Sequence, residues 1–280
     1  MKLISTFSLI ALLAACGNRL PDDSDTGTGT GTTDPGTETG TTDPGTETGT
    51  TDPGTETDPP ADITPISDLN TAAIALDSWV TIEGVVTAGT KYGVVLQDAN
   101  AVNSGVWVFL GGAAGNSWTE TYAIGDALRI SGTYTEYIKS PAWPGDATNT
   151  LDTITELGAD PLDVLPVTST LTITPMDISG VDFTSKAALE PYELTVVSIA
   201  GTLAVTAIPD AGSFWEWYIN DTILIDNATF DGNAIAGVTG AELAVGQTFT
   251  KITGFLNYDY GNFKIAPRVG SDIEGFVAAP

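Results

Sequence analysis

The sequence contains no histidine, and its only cysteine is Cys16. The absence of histidine excludes Ser-His-Asp triads, Cys-His pairs and zinc or iron sites with histidine ligands. A single cysteine excludes an intramolecular disulfide, and acylation of Cys16 would also remove thiolate chemistry. Carboxylate-pair glycosidase chemistry is compatible with the composition, but no pair of acids stands out by its context. We therefore expect a protein that is not an enzyme, and we rank a carboxylate-only hydrolase third among the functions considered.

Basic residues are also scarce, with nine Lys and Arg against 36 Asp and Glu and a formal net charge of −27. From Ile63 onwards, 25 acidic and seven basic residues leave a charge of about −18. Binding to nucleic acid depends on Lys and Arg that neutralise phosphates, so this charge disfavours nucleic acid as a ligand. The acidity is also consistent with a simple contribution to solubility.

The N-terminus carries the signature of a secreted and lipid-anchored protein. Lys2 precedes an apolar run over 3–13 that is too short to span a bilayer, as in a secretory signal. The sequence Leu13-Ala14-Ala15-Cys16 resembles the bacterial lipobox, which implies cleavage of residues 1–15 and acylation of Cys16, including palmitate. The alternative is an ordinary signal peptide with a chance cysteine. The chain has Gly17-Asn18 rather than an aspartate after the cysteine, which favours the outer membrane or cell surface over the inner membrane.

Residues 16–62 are predicted to be a disordered tether. The unit Asp-Pro-Gly-Thr-Glu-Thr begins at Asp34 and recurs nine residues later at Asp43 and again at Asp52. This segment is rich in Gly, Pro, Thr and acid and nearly free of apolar residues, so it cannot bury enough surface to offset the entropy of ordering. A flexible chain of this length spans roughly 40 Å, so the segment would hold a domain away from the membrane.

The remaining chain is predicted to be all-β and built from two tandem domains, residues 63–165 and 166–280. Val80 to Val86 is echoed by Val197 to Leu203, and the segment from Ile124 to Gly132 is echoed by the segment from Val245 to Gly254. Two segments that repeat in the same order at nearly the same spacing indicate tandem copies of one fold. Five strands are expected in each copy, near 79–88, 91–98, 105–110, 126–138 and 150–157, and near 192–206, 213–219, 221–226, 247–258 and 262–268.

Five strands with a longer gap between the third and the fourth are typical of a five-stranded Greek-key barrel of the OB type. Glycines in the middle of the long first and fourth strands, at 84, 132, 201 and 254, are expected where those strands bend or bulge. Helical periodicity is nearly absent, and a short helix within Asp68–Asp77 is the one exception expected.

The first copy resembles the OB-fold domain of secreted bacterial nucleases of the YhcR type. The resemblance rests on Thr81–Ala88, Gly93–Asp98 and Gly105–Phe109, and on the closing hairpin Ile252–Arg268 of the second copy. It implies the fold, and it makes a nucleic-acid-binding or nuclease-accessory role the alternative function. It does not imply catalysis, because such nucleases carry their chemistry in separate domains.

OB barrels bind ligands on the face of their second and third strands and with the loops around it. In the first copy this face draws on 92–97 and 106–109. The aromatic candidates for ligand stacking are Tyr92, Trp107, Trp118, Tyr137 and Trp143. The more common role for an aromatic residue at such a position is to cover the barrel core.

The second copy contains the aromatic run Phe214-Trp215-Glu216-Trp217-Tyr218. Alternation along a strand places the two tryptophans on one face, and Glu216 argues that they point inward. Glu216 and Tyr218 would then form a polar and aromatic surface, and both are candidate ligand-binding residues.

Two loops gather oxygen-bearing side chains that are weak candidates for calcium: Asp98 with its following asparagines, and Asp226 with Asp231. Neither loop matches an EF-hand, and Asp, Asn and Gly are ordinary turn residues, so we expect no cofactor and no metal other than this calcium option. Together these features predict a lipid-anchored surface protein whose two barrels act as a non-catalytic binding module for a glycan, a peptide or a partner protein.

Overall fold

Short runs rich in Val, Ile and Thr form the strands of this protein, whose structure is a computed structural model. It describes residues 62–112, 118–138, 152–209, 216–226 and 239–280. The strands are β1 (Trp79–Gly89), β2 (Gly93–Gln97), β3 (Gly105–Phe109), β4 (Ala127–Tyr137), β5 (Ile154–Gly158), β6 (Val164–Pro166), β7 (Met176–Asp177), β8 (Val196–Ala207), β9 (Trp217–Ile219), β10 (Ile223–Ile225), β11 (Thr248–Asp259), β12 (Asn262–Ala266) and β13 (Ile273–Glu274). The predictions for Cys16, the tether, Trp143 and Asp231 lie outside the described residues.

Strands β1 to β5 close into a barrel. β1 pairs with β2 on one side and with β4 on the other, β2 pairs with β3, and β5 joins β3 to β4. The pairing of β3 with β5 is parallel and all the other pairs are antiparallel. β8 to β12 close in the same order, with β10 and β12 as the parallel pair. The prediction of two tandem five-stranded OB-like barrels is therefore confirmed.

The two barrels share their strand register. Val80 lies opposite Gly132 in the first barrel, as Val197 lies opposite Gly254 in the second. The first strand has a register shift in both copies, between Val86 and Ala88 and again between Val205 and Ala207. Positions can therefore be matched between the copies by strand pairing, including positions at which the residue types differ.

The glycines in the fourth strand of each barrel lie where that strand passes closest to the fifth. A Cβ at Gly254 would lie 2.5 Å from the carbonyl carbon of Ala266, and a Cβ at Gly132 would lie 3.1 Å from that of Gly158. Gly201 has φ of +132° and lies in a second irregularity of β8, opposite the segment between Phe249 and Lys251. These positions confirm that the glycines are structural, since a side chain would collide with backbone or strain it.

Replacement of Gly254 by alanine is therefore expected to lower the free energy of unfolding by about 1–3 kcal/mol, the usual cost of overpacking. The matched control is Gly180→Ala, since a Cβ at Gly180 meets nothing within 4 Å. Chemical denaturation of both variants measures the difference, and equal midpoints for the two would contradict the close approach of β11 to β12.

One short helix precedes the first strand of each barrel and closes one end of it. α1 (Ile66–Asn70) buries Ile66 and Leu69 in the first core, and α2 (Lys186–Leu189) buries Leu189 in the second. The helix expected within Asp68–Asp77 is present but earlier and shorter. It ends because Ala72 adopts a positive φ of 55°, which an α-helix cannot continue.

The two barrels pack against each other through different faces. Leu194, Phe255 and Ala266 of the second barrel form an apolar cluster with the outward-facing residues of β1, β2, β3 and β5 of the first barrel, namely Ala88, Val95, Trp107 and Ile154. We call this contact the seam. Three hydrogen bonds border it: Val196 N to Gln97 Oε1 at 3.0 Å, Thr155 N to Glu193 Oε1 at 2.9 Å and Asn103 N to Pro191 O at 2.7 Å.

The seam leaves no room for a side chain at Gly105. A Cβ there would lie 2.8 Å from the carbonyl oxygen of Glu193 and closer still to that of Leu194. Leu194 itself has a positive φ of 57°, an uncommon conformation for leucine, yet it is fully buried in the seam. The close backbone contact and the buried leucine indicate that the two barrels form one packed body.

Candidate functional site

The face of β2 and β3 on the first barrel, where OB barrels commonly bind ligands, is covered by the second barrel. Val95 and Trp107 lie in the seam, Gln97 accepts a hydrogen bond from Val196, and Gly105 lies against Leu194. Trp107, a candidate from the sequence, is partly buried there. The seam thus occupies the surface on which the sequence placed the ligand.

A different surface of the first barrel carries exposed aromatic side chains. It runs across the outward side of β3, β5, β4 and β1 and consists of Phe109, Gly158, Glu156, Thr133, Thr135, Tyr137 and Trp79. We call this surface the aromatic face. Trp79 is 63% exposed, Phe109 42% and Tyr137 44%. Large aromatic side chains usually bury most of their surface, so three of them on one face point to a binding surface.

Strand register sets the spacing of these aromatics. Phe109 lies opposite Gly158, Gly158 opposite Thr133, and Thr133 opposite Trp79, so the four residues form one row across four strands. The Cα atoms of Phe109 and Trp79 are therefore roughly 14 Å apart along the sheet, which is three inter-strand spacings of about 4.8 Å. The two residues between them in the row are Gly158 and Thr133, whose side chains are absent or short.

Strand alternation explains why these residues face outward. In β4, Leu128, Ile130 and Tyr134 are buried in the core, so Thr133, Thr135 and Tyr137 point the other way. In β1, Val80 and Ile82 enter the core and place Trp79 outside. The neighbouring row contains Trp107, Glu156 and Thr135, and burial raises the pKa of Glu156 to about 7.

Two other aromatic candidates lie away from this face. Trp118 packs against the first core, stacks on Tyr122 and donates a hydrogen bond from Nε1 to the carbonyl oxygen of Gly111 at 2.9 Å. It therefore covers the core, as an aromatic residue at such a position commonly does. Tyr92 is half exposed in the turn between β1 and β2, with the Lys91 Nζ 5.6 Å from its ring centre.

Of the two second-barrel candidates, Glu216 lies beside the buried Lys264, whereas Tyr218 is partly buried on β9. Trp217 points into the core, as alternation predicted, and leaves Glu216 outward, where it forms an ion pair with Lys264. Burial alone would lower the pKa of Lys264, but the carboxylates of Asp226, Glu216 and Asp259 together hold that pKa above its usual value. The ammonium of Lys264 is therefore engaged by carboxylates of its own barrel and is not offered to a ligand.

The calcium candidates within the described residues have structural partners. Asp98 Oδ2 accepts a hydrogen bond from the Ile66 amide at 2.8 Å. Asp226 Oδ2 lies 3.9 Å from the Nζ of Lys264. Asp98 also lines a cleft of about 330 Å³ where the chain before α1 meets the segment that joins the barrels. Within the described ranges, no three His, Cys, Asp or Glu side chains are arranged to hold a metal ion.

Sequence reasoning did not single out Trp79 or Glu156, and it included Phe109 only as the last residue of the predicted face 106–109. The signal was available for Trp79, because alternation from the apolar Val80 and Ile82 already places it on the outward face. Phe109 and Glu156 required knowledge that β3 and β5 are neighbours, which follows only from closure of the barrel. No helix in the described part of the chain has the length and apolarity needed to cross a membrane.

No protein-family model and no curated protein matches the chain. Among solved structures it is similar to a protein assigned as an aspartyl-tRNA synthetase from Leishmania major Friedlin, at 18% identity and a TM-score of 0.29. That similarity covers 49% of this chain and 29% of the other, so the chain spans under a third of that protein's length. A similarity of this size carries no argument about function, which must come from the surfaces themselves.

Proposed function

We propose that this protein is a lipid-anchored surface lipoprotein that binds carbohydrate, without catalysis, on the aromatic face of its first barrel. The observation that carries the proposal is the row with Trp79 and Phe109 exposed at its two ends and only a threonine and a glycine between them. Flat apolar rings flanked by hydroxyl and carboxyl groups suit sugars, which offer both C–H faces and hydroxyls.

Comparison of the two copies separates a ligand surface from a protein-docking surface. The second-barrel positions that match Trp79, Thr133 and Gly158 are Val196, Phe255 and Ala266.

All three of these second-barrel residues are fully buried. Phe255 and Ala266 belong to the apolar cluster of the seam, and the Val196 amide donates a hydrogen bond across it to Gln97. The copy that docks on protein is therefore uniformly apolar at these positions, whereas the open copy mixes aromatic and polar side chains. That mixture favours a hydrated ligand such as a glycan over a peptide or a partner protein.

Charge argues against nucleic acid on this face. The described aromatic face carries no Lys or Arg, and the chain from Ile63 onwards has a charge of about −18, from 25 acidic and seven basic residues. A phosphate backbone would meet only repulsion there. The nuclease-accessory role stays the alternative, and a carboxylate-only hydrolase comes third.

The lipid anchor and the tether would determine where the barrels bind their ligand. Acylation at Cys16 would fix the chain to the outer membrane or cell surface, and the repeats up to residue 62 would carry the barrels outward. A glycan-binding module at the end of a tether reaches polysaccharide beyond the membrane, either on the same cell or on another surface.

A glycan array probed with the chain expressed from Gly17 onwards, without lipid, tests the proposal. We expect Trp79→Ala to weaken binding to the captured glycan about tenfold, since loss of one stacked ring costs on the order of 1.4 kcal/mol. The control Tyr260→Ala removes an exposed aromatic side chain, 44% exposed, from the second barrel and should bind normally. Capture of single-stranded DNA with a steep salt dependence, or no glycan capture at all, would overturn the proposal.

A further inference from the structure

Glu156 is the acidic side chain of the aromatic face, and no basic side chain of the described residues pairs with it. It lies on β5 with Trp107 opposite on β3 and Thr135 opposite on β4. It has neither an ion pair nor a side-chain hydrogen bond to any described residue, and its carboxyl oxygens are not fully enclosed. A half-buried carboxyl without a partner loses hydration without any compensating bond.

The basic side chains of the described segments are already engaged elsewhere. Five form ion pairs, and these are Arg129 with Glu83, Lys186 with Asp152, Lys251 with Glu274, Lys264 with Glu216, and Arg268 with Asp272. The sixth, Lys91, lies over the ring of Tyr92. Any cation that pairs with Glu156 must therefore come from outside these segments, and an external ligand is the simplest source.

The surroundings of Glu156 suit an ammonium group better than a metal ion. Trp107 lies beside it in the register, with Phe109 and Tyr137 on the same face, and aromatic rings attract organic cations through their quadrupoles. A metal ion such as calcium would need several oxygen ligands, whereas the described aromatic face contributes one carboxylate. The charge of the barrels, 25 acidic against seven basic residues, would also attract a polycation over a longer range.

Building on the proposed function, we infer that the glycan bound by the aromatic face carries free amino groups, with its ammonium paired to Glu156 and its rings stacked on Trp79 and Phe109. An unacetylated amino sugar provides both the apolar ring face and the cation. Its ammonium supplies the partner that the described residues do not give to Glu156. An N-acetylated sugar of the same linkage would make the stacking contacts but not the ion pair.

The probes are a β-1,4-linked glucosamine oligomer and its fully N-acetylated counterpart, titrated at low salt into the chain expressed from Gly17 onwards. We expect the glucosamine oligomer to bind about tenfold more tightly. Glu156→Gln should abolish that preference, so that the two oligomers bind with equal affinity. Glu120→Gln removes the same charge from an exposed position in the same barrel and should keep the preference.

The outcomes separate the two proposals. If the wild-type protein binds both oligomers equally, or if Glu156→Gln keeps the preference, the ammonium pairing is wrong while carbohydrate binding stands. If neither these oligomers nor the glycan array is bound, both proposals fail. An about tenfold weakening of glycan binding in Trp79→Ala, together with loss of the amino-sugar preference in Glu156→Gln, is the pattern that supports both.

Discussion

Replacement of Cys16 by serine should move nearly all of the protein from the membrane fraction to the soluble fraction. Each acyl methylene buried in the bilayer contributes about 0.8 kcal/mol, so several chains on one residue change the partition by many orders of magnitude. Serine cannot carry thioether- and amide-linked lipid in the way the lipobox requires. Cell fractionation with an antibody to the barrels, together with labelling by a palmitate analogue, measures both effects.

The matched control is Gly17→Ala, which changes the neighbour of the cysteine and leaves the acylated position intact. It should fractionate and label like the wild-type protein. Membrane retention of the Cys16→Ser chain, with no label incorporated, would show that the leader acts as an ordinary signal peptide and that something else holds the protein.

Replacement of Glu193 by glutamine should remove a pH-dependent weakness at the seam. Glu193 is buried, its Oε1 accepts a hydrogen bond from the Thr155 amide, and its Oε2 has no hydrogen-bond partner in the described structure. Burial, with the like charges of Glu190 and Glu136 beside it, holds the pKa of Glu193 well above 4.5. The carboxyl is therefore more easily ionised in the unfolded chain than in the folded one.

The sign of the pH effect follows from that difference. The stabilisation is fully present below pH 4.5, where both states are protonated, and is lost as pH rises through the folded pKa. Each pH unit in that window costs up to about 1.4 kcal/mol for a single proton. Glu193→Gln keeps an acceptor for the Thr155 amide. Its free energy of unfolding should therefore depend less on pH, and it should be more stable than the wild-type protein at alkaline pH.

Thermal unfolding of both proteins from pH 4 to pH 9 checks this expectation. Glu274→Gln serves as the control, because Glu274 is an exposed partner of Lys251 and its loss should leave the shape of the profile unchanged. If the unfolding temperatures of the wild-type protein and Glu193→Gln change with pH in the same way, Glu193 does not control the pH dependence of stability at the seam.

The barrels could be predicted from the sequence because their strands follow local rules. Val80, Ile82, Val197 and Ile199 alternate with polar or small residues, and glycines mark the bends, so strand positions and the duplication are visible without any tertiary information. The strand bounds agree with those of the structure to within a few residues for most strands.

The candidate site was harder to predict because it depends on which face the second barrel covers. Trp107 and Phe109 are both outward-facing residues of β3, yet one lies in the seam and the other is exposed. Alternation cannot distinguish them, since the difference arises from docking of residues some ninety positions further along the chain, such as Leu194. Leu194 adopts a conformation that no leucine prefers, so local propensity gave no indication of its role.

The seam joins two different surfaces of the barrel fold, one from each copy. A contact between unlike surfaces can be repeated by adding further barrels of the same kind. A chain whose every barrel offered the apolar face of the second copy would accept a further barrel at each step and grow into a fibre. The first barrel stops that growth, since Asp77, Trp79, Thr133 and Gly158 stand where Leu194, Val196, Phe255 and Ala266 stand in its copy. In this respect it resembles the capping unit of a two-member array, and the proposed ligand surface occupies the position at which a further repeat would have docked.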